Sequence, residues 1–563
     1  MSIQKLTIPE AFRESVQKYR SLGAVGYSDL EPMTYGDLDE LSRILGAGLR
    51  SKGIQPGDKV AILSENMPNW CTAYLAISRI GAVVVPVLPD FGPVEVENIL
   101  EHAGAKALFV SERQMEKTAG MGEKRHVITL DSLLCNDEPI VMIGGNDDTD
   151  PQEDDLAAII YTSGTTGNSK GVMLTHANII SNVIGACPLA SIEAGEVLVS
   201  LLPLSHAYEC TLGFLVPMVS GACVYYLPKP PSPSVLMPAL EKLRPHLMLS
   251  VPLFIEKIFR NSVLPKLRKN FLMRLLYAFR PIQKILHKAA GRKVYALFGG
   301  RLHFFGIGGA SLAPDVERFL RDAGFPYAIG YGLTETAPLI AGSAPFETTF
   351  RAIGPVLEGV QMRLDGAYGD KNEGEVQVKG PNVMQGYYKD AQRTDEVFTE
   401  DGWFRTGDIG HISAKGVLSI RGRIKNMILG SSGENIYPEE IEAVINENPY
   451  VEESLVTQKD DRLVAMVFLN YEALLEHLAH SYASVKEWHR EVYAGLKEGM
   501  QNSSDIVQQG VQQFKEDVEG YATELRSRIN SELNVFSRIA DVVLRYEPFE
   551  KTPTLKIKRY LYT

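Results

Sequence analysis

Two rhythms of apolar and polar residues run through the chain. In the first, Leu38, Leu41, Leu45 and Leu49 recur at spacings of three or four behind Thr34, which predicts a capped amphipathic helix. Gly53, Pro56 and Gly57 end it, and residues 59–63 read as a strand. Residues 70–80 predict a helix, 82–88 a strand and 94–103 another helix. The alternation implies parallel strands with helices on both faces, and it persists to about residue 350. Residues 156–161 are six consecutive apolar positions, a buried strand, and Val172, Met173 and Leu174 read as a second strand after it. The second rhythm starts near Arg351. Residues 360–364, 375–379 and 417–420 are short strands between turn signals and predict an antiparallel subdomain. Residues 422–426 are polar and charged, as suits a linker, and a smaller C-terminal domain follows. There, 472–496 and 503–533 predict long amphipathic helices, the second with Val507, Val511, Phe514, Val518, Leu525, Ile529 and Leu533 near one stripe. A helical hairpin packed on itself accounts for them; a partner-binding coil is the sharper alternative.

A chain of 563 residues is too long for one core and predicts two or three domains. Its 45% hydrophobic and 22% charged composition is that of an ordinary soluble protein, and a net charge of −12 argues against a nucleic-acid binder. Cys71, Cys135, Cys187, Cys210 and Cys223 show no paired spacing and read as reduced thiols. Residues 1–20 mix charges with no apolar core, so no secretory signal is expected and the predicted location is cytoplasmic. Residues 130–155 are acidic and rich in Gly and Asp, an exposed connection. Residues 210–228 carry no charge and are long enough to span a bilayer, but Gly213, Pro217 and Gly221 interrupt them. A buried helix, a glycine turn and a core strand are expected there.

Residues 257–301 contain twelve Lys or Arg and no Asp or Glu. Leu267, Phe271, Leu275, Ala278 and Ile282 interleave with Arg268, Lys269, Arg274 and Arg280 at helical spacing. The segment is either a solvated helix face or a surface for an anionic ligand or for peripheral contact with the inner face of a membrane.

The candidate chemistry lies in polar, glycine-punctuated stretches between apolar ones. The first joins the two strands around residue 165: Thr162, Ser163, Gly164, Thr165, Thr166, Gly167, Asn168, Ser169 and Lys170. Glycine lets backbone N–H groups converge, hydroxyls add donors, and Lys170 adds a mobile charge, so the loop suits a polyphosphate. It is not a Walker loop, because Gly171 follows the lysine and a strand follows that; a plain surface hairpin is the bland alternative. Gly308, Gly309 and Ala310 would let a flat ring lie close to the backbone. Tyr331, Gly332, Thr334 and Glu335 set an aromatic ring, a hydroxyl and a carboxylate within a few residues. Thr406, Gly407 and Asp408 offer a carboxylate of the kind that holds ribose hydroxyls. Lys556 lies on a loop led by Pro553. Singly, each reads as a turn, Glu335 as a helix-start carboxylate and His206 as a core histidine. Together they supply contacts for adenine, ribose, phosphate and Mg²⁺.

The motifs YTSGTTGNSKG from Tyr161, YGLTET from Tyr331, DGWFRTGDIG from Asp401, GENIYPEEIE from Gly433 and the PTLKIKR ending closely resemble those of the acyl-adenylate-forming enzymes. Within that superfamily the chain looks most like the long-chain fatty acyl-CoA synthetases, over nearly its whole length. The resemblance implies an α/β fold: a large N-terminal domain (1–421) of layered α/β subdomains with an antiparallel β subdomain, a hinge linker (422–427), and a small mobile α+β C-terminal lid (428–563) with a helical insertion at about 471–518. It implies ATP, Mg²⁺ and CoA. By position, Thr162 to Lys170 would hold the β- and γ-phosphates. Gly308, Gly309, Ala310, Tyr331 and Gly332 would frame adenine, and Asp408 and Arg423 the ribose. Thr334 would meet the α-phosphate, Glu335 would bind Mg²⁺, and His206 would lie beside the acyl carboxylate. Lys425 would be the hinge, Gly433 would line the CoA path, and Lys556 would reach the α-phosphate during adenylation.

The implied activity is fatty acid–CoA ligation through acyl-AMP with release of pyrophosphate. The alternative within the same chemistry is an acyl-AMP ligase or acyl-carrier-protein synthetase; a non-catalytic scaffold on this fold is the alternative outside it. Three departures qualify the transfer. Ser169 replaces a common proline, the 421–426 stretch is unusually basic, and Leu555 stands where many relatives carry glycine.

Overall fold

The computed structural model describes residues 3–135, 138–139, 149–162, 169–366, 372–429, 435–459, 462–471, 474, 505–552 and 556–562. The predicted rhythm is present. The helix Tyr35–Ser51 starts in a capping box, Thr34 accepting from the Asp37 N–H while the Asp37 carboxylate accepts from the Thr34 N–H. Helices Pro68–Arg79 and Pro93–Ala103 alternate with strands Lys59–Leu63, Val83–Val87 and Ala105–Val110, which pair in parallel. They belong to a nine-stranded sheet; a second sheet of eight strands carries Val197–Val199, Leu247–Ser250, Phe304–Ile307 and Tyr327–Gly332 side by side in parallel. One continuous core binds helix Ile8–Tyr19 and the elements between both sheets, with Trp70, Tyr35 and Tyr74 almost wholly buried.

Residues 210–228 fold as expected: a widened helical turn (Glu209–Leu215), a short helix (Val216–Ser220), Gly221 at φ +79°, and core strand Cys223–Tyr226. No helix among the described residues is long and apolar enough to cross a membrane. The cysteines are free.

The antiparallel subdomain has four strands, Gln361–Asp365, Glu373–Lys379, Phe404–Ile412 and Leu418–Arg423. Phe404–Ile412 went unpredicted because Gly407, at φ +71°, gives its sequence the look of a turn. Gly422 and Arg423, expected at the start of the linker, complete the last strand, opposite Ile409 and Asp408. A single helical turn, Ile424–Asn426, follows. The C-terminal part has its own core, where Val518, Leu525 and Ile529 of helix Asp505–Glu532 pack on strands Val451–Lys459, Arg462–Leu469 and Asp541–Arg545. Of the helical insertion, residues 472–473 and 475–504 lie outside the described residues.

Candidate active site

The parallel strands of the eight-stranded sheet end together, and the loops beyond their C-terminal ends carry the candidate residues, the usual location of ligands in such sheets. Phe304–Ile307 leads into Gly308, Gly309 and Ala310, and Tyr327–Gly332 into Thr334 and Glu335. Gly308 has little room: a Cβ there would come within 3.1 Å of the Tyr208 ring. Gly309 sits at φ +86°. At Gly332 a Cβ would collide with the Pro338 carbonyl, so this glycine answers a backbone contact, with Leu333 N–H donating to Pro338 O at 2.9 Å.

Strands Leu156–Thr162 and Lys170–Thr175 form the expected antiparallel hairpin, with Thr162 opposite Lys170. Ser163, Gly164, Thr165, Thr166 and Gly167 lie outside the described residues, as does Gly433. Lys170 donates to the Tyr387 hydroxyl at 3.2 Å and lies 4.5 Å above that ring; the same hydroxyl donates to Glu335 Oε1 at 2.9 Å. Burial lowers the Lys170 pKa, against Glu335, which raises it.

Asp408 is buried and has both oxygens engaged. Oδ1 pairs with Arg423 Nε at 2.7 Å and Oδ2 accepts from the Tyr331 hydroxyl at 2.7 Å. Burial pushes the carboxyl up from its ordinary value, and the Arg423 guanidinium opposes this. Lys556, more than 140 residues beyond Asp408 in the chain, arrives among the same groups. Burial and then Arg423 lower its pKa, while Asp408 and Glu335 raise it. His206 is held down to about 4, by burial and then by Lys556, and is neutral at physiological pH. The Tyr208 N–H donates to His206 Nδ1 at 3.3 Å, which assigns the ring proton to Nε2. The structure thus gathers Lys170, Thr334, Glu335, Asp408, Arg423, Lys556 and His206 at one place. Lys425, exposed on the turn after Arg423, is close enough to lower Lys170.

Beside Tyr208 lies an apolar cavity of about 40 Å³, lined by Leu189, Leu212, Leu249, Phe304, Ala328 and Leu339. Two residues at the site escaped sequence reasoning. Tyr387 had only a Gly-Tyr-Tyr run to signal it. Glu209 had a better signal, a lone acid directly before an uncharged apolar run. Its side chain is wholly buried, Oε1 accepts from Ser200 at 2.5 Å, and Oε2 has no partner. Asn66 steadies the segment before it, donating to Ser200 Oγ at 3.0 Å and Leu202 O at 2.6 Å and accepting from Leu204 N–H at 2.8 Å.

Among the described residues no three His, Cys, Asp or Glu side chains gather as a metal cage. Mg²⁺ held by one carboxylate and a nucleotide's phosphates needs none, and half-buried Glu335 is a hard oxygen donor facing the cationic side of the site. The residues present fit that ion.

The family model described as AMP-binding enzyme matches residues 12–388. The peroxisomal long chain acyl-CoA synthetase 6 of Arabidopsis thaliana is 29% identical over 520 residues, covering 83% of this chain and 74% of that protein. A chloroplastic long-chain-fatty-acid acyl-carrier-protein ligase of the same plant is 26% identical over 556 residues, covering 82% and 76%. The crystal structure of ATP-bound MatB from Rhodopseudomonas palustris superimposes with a TM-score of 0.73 at 23% identity, over 98% of each chain.

Proposed function

This chain belongs to the AMP-binding enzyme family, and on that premise we propose that it is an ATP-dependent long-chain fatty acid–CoA ligase. It would convert a fatty acid to acyl-AMP with release of pyrophosphate, then pass the acyl group to CoA and release AMP. The observation that carries the reading is the convergence of Lys556 with Glu335, Asp408, Arg423 and His206.

A fatty carboxylate is ionised at neutral pH and needs no general base. The obstacle is its approach to an anionic phosphate. Neutral His206 adds no charge and offers its Nε2–H to the carboxylate. Lys556 and Thr334 meet the α-phosphate, where charge builds in the transition state. Thr162, Lys170 and the loop between them hold the leaving pyrophosphate, and Asp408 with Arg423 holds the ribose. Bound at Glu335, Mg²⁺ supplies neutralisation of phosphate charge. Gly308, Gly309, Ala310, Tyr331 and Gly332 frame the adenine. A thiol then attacks the acyl carbonyl of the mixed anhydride, and AMP leaves with the bond electrons. Lys556 serves the first half-reaction only, so rotation about Lys425 that withdraws it and presents Gly433 separates the two steps.

The acyl chain enters the cavity beside Tyr208. The cavity's lining is apolar, and a long chain extends into it by moving side chains such as Leu189 and Leu212. The carrier-protein ligase among the relatives favours one alternative, a carrier-bound thiol as acceptor. Purified protein given palmitate, ATP and either CoA or holo-carrier protein separates the two, and absence of a CoA thioester overturns the main reading. We also propose peripheral membrane contact through residues 257–301, where Phe271, Leu272, Leu275, Phe279, Ile285 and Leu297 are exposed among the cations.

A further inference from the structure

We propose that helices Phe271–Ala278 and Arg280–Leu297 form a rigid, preformed docking surface for an anionic phospholipid bilayer. The proposal rests on the membrane reading above and gives it a lipid class and a set of inserting side chains.

Phe271, Leu272 and Leu275 follow one another along one side of the first helix, while Tyr277, on the opposite side, is buried. Phe271 is 82% exposed, and Leu272, Leu275 and Phe279 are each more than half exposed. The second helix buries His287, Gly291 and Val294 against the body and turns Ile285, 68% exposed, and Leu297 outward. A single exposed Leu needs no explanation, whereas six large apolar side chains on two consecutive helices and their junction do.

This surface is not a loose flap. Tyr277 and His287 Nε2 share a hydrogen bond of 2.8 Å, and His287 Nδ1 meets Asp322 Oδ2 at 2.7 Å. Arg280 closes on both Asp322 oxygens, at 2.7 and 3.0 Å. Gly291 lies so near helix Pro314–Ala323 that a Cβ there would come within 2.3 Å of the Ala323 Cβ. A buried polar chain and a close backbone approach therefore fix both helices on the α/β body with the apolar residues already facing out. No ordering cost is left for the moment of docking.

Charge selects the partner. Among the described residues, Asp315 pairs with Arg260, and Asp322 with Arg280 and His287. Among the described residues, Lys266, Lys269, Arg274, Lys284, Lys288, Arg292 and Lys293 have no carboxylate within ion-pair distance. They flank the apolar residues as the cations of an interfacial helix do. The rest of the chain is acidic, so an anionic bilayer attracts this face and repels the others, giving one orientation.

The test is co-sedimentation of the full chain with vesicles of phosphatidylcholine alone or with about one-third phosphatidylglycerol. Two variants are compared: Phe271→Ser with Leu275→Ser and Ile285→Ser, and Lys269→Glu with Arg274→Glu, Lys284→Glu and Lys288→Glu. Thermal melting and ATP–pyrophosphate exchange check that both keep the fold. The expected result is binding to anionic vesicles at least about tenfold tighter than to neutral ones, weakened by salt and lost in both variants. Equal binding to both vesicle types, unchanged by charge reversal, overturns the lipid class and leaves membrane contact standing. No sedimentation with either vesicle overturns both. A dimer in gel filtration that the serine variant disperses assigns the face to a second copy of the chain and overturns the proposal.

Discussion

The Tyr387 hydroxyl donates to Glu335 Oε1 at 2.9 Å while accepting from Lys170 at 3.2 Å. One phenol thus ties the lysine of the proposed phosphate loop to the carboxylate proposed for Mg²⁺, across 217 residues of sequence from Lys170 to Tyr387. The tie sets which Glu335 oxygen faces the tyrosine and keeps Lys170 from closing on the carboxylate itself.

Tyr387→Phe removes both polar contacts and keeps the ring under Lys170. A hydrogen bond to a charged group is worth about 1.5–3 kcal/mol, so the Mg²⁺ concentration for half-maximal pyrophosphate exchange should rise by roughly 10- to 100-fold. The melting temperature should scarcely move. A Mg²⁺ titration superimposable on that of the parent would remove Tyr387 from the site.

Lys556→Ala should lower acyl-AMP formation by about 10²–10³, the cost of one preorganised donor at a charge-developing centre. Thioester formation from supplied acyl-AMP should stay within about threefold of the parent. If both half-reactions fell together, Lys556 would be supporting the fold and not the first step.

Asp408→Asn leaves Arg423 without its counter-charge and loses the acceptor that Tyr331 shares with the proposed ribose. The KM for ATP should rise by roughly 10- to 100-fold, with the KM for palmitate unchanged, since hydrogen bonds to charged groups carry this much. A rise confined to the fatty acid would move Asp408 to the acyl side.

The helices and parallel strands before residue 350 were legible because each buries one periodic face, and periodicity survives in sequence. The candidate residues were legible as types at the ends of strands. Their pairing was not: the Asp408–Arg423 bond follows from the register of two antiparallel strands, and Gly407 disguised one of them. Tyr387 was missed because its strand has two residues and its partners, Lys170 and Glu335, come from distant segments. The basic segment's charge was readable at once. Which of its apolar residues face outward was not, and Leu267, grouped with the others by spacing, is buried.

Glu209 supports a prediction about stability. Its surroundings, Ser200, Cys71, Cys210, Tyr208 and Tyr226, are hydroxyls and thiols, neutral near pH 7 and unable to balance a carboxylate. Burial accordingly pushes its pKa up to about 8, and the Ser200 hydrogen bond only partly opposes this. The folded state keeps a proton that the unfolded chain releases above about pH 4.5. Between those values the unfolded state binds fewer protons, so Glu209 makes folding less favourable as pH rises, by about 1.4 kcal/mol per unit, levelling off above pH 8. Glu209→Gln cannot ionise. Relative to the parent it should gain stability steadily from pH 5 to 8 in urea unfolding, even if burying the unpartnered amide makes it the weaker protein at pH 5. A stability difference that stays constant across that range would mean that Glu209 is ionised in the folded protein and that a cation balances it.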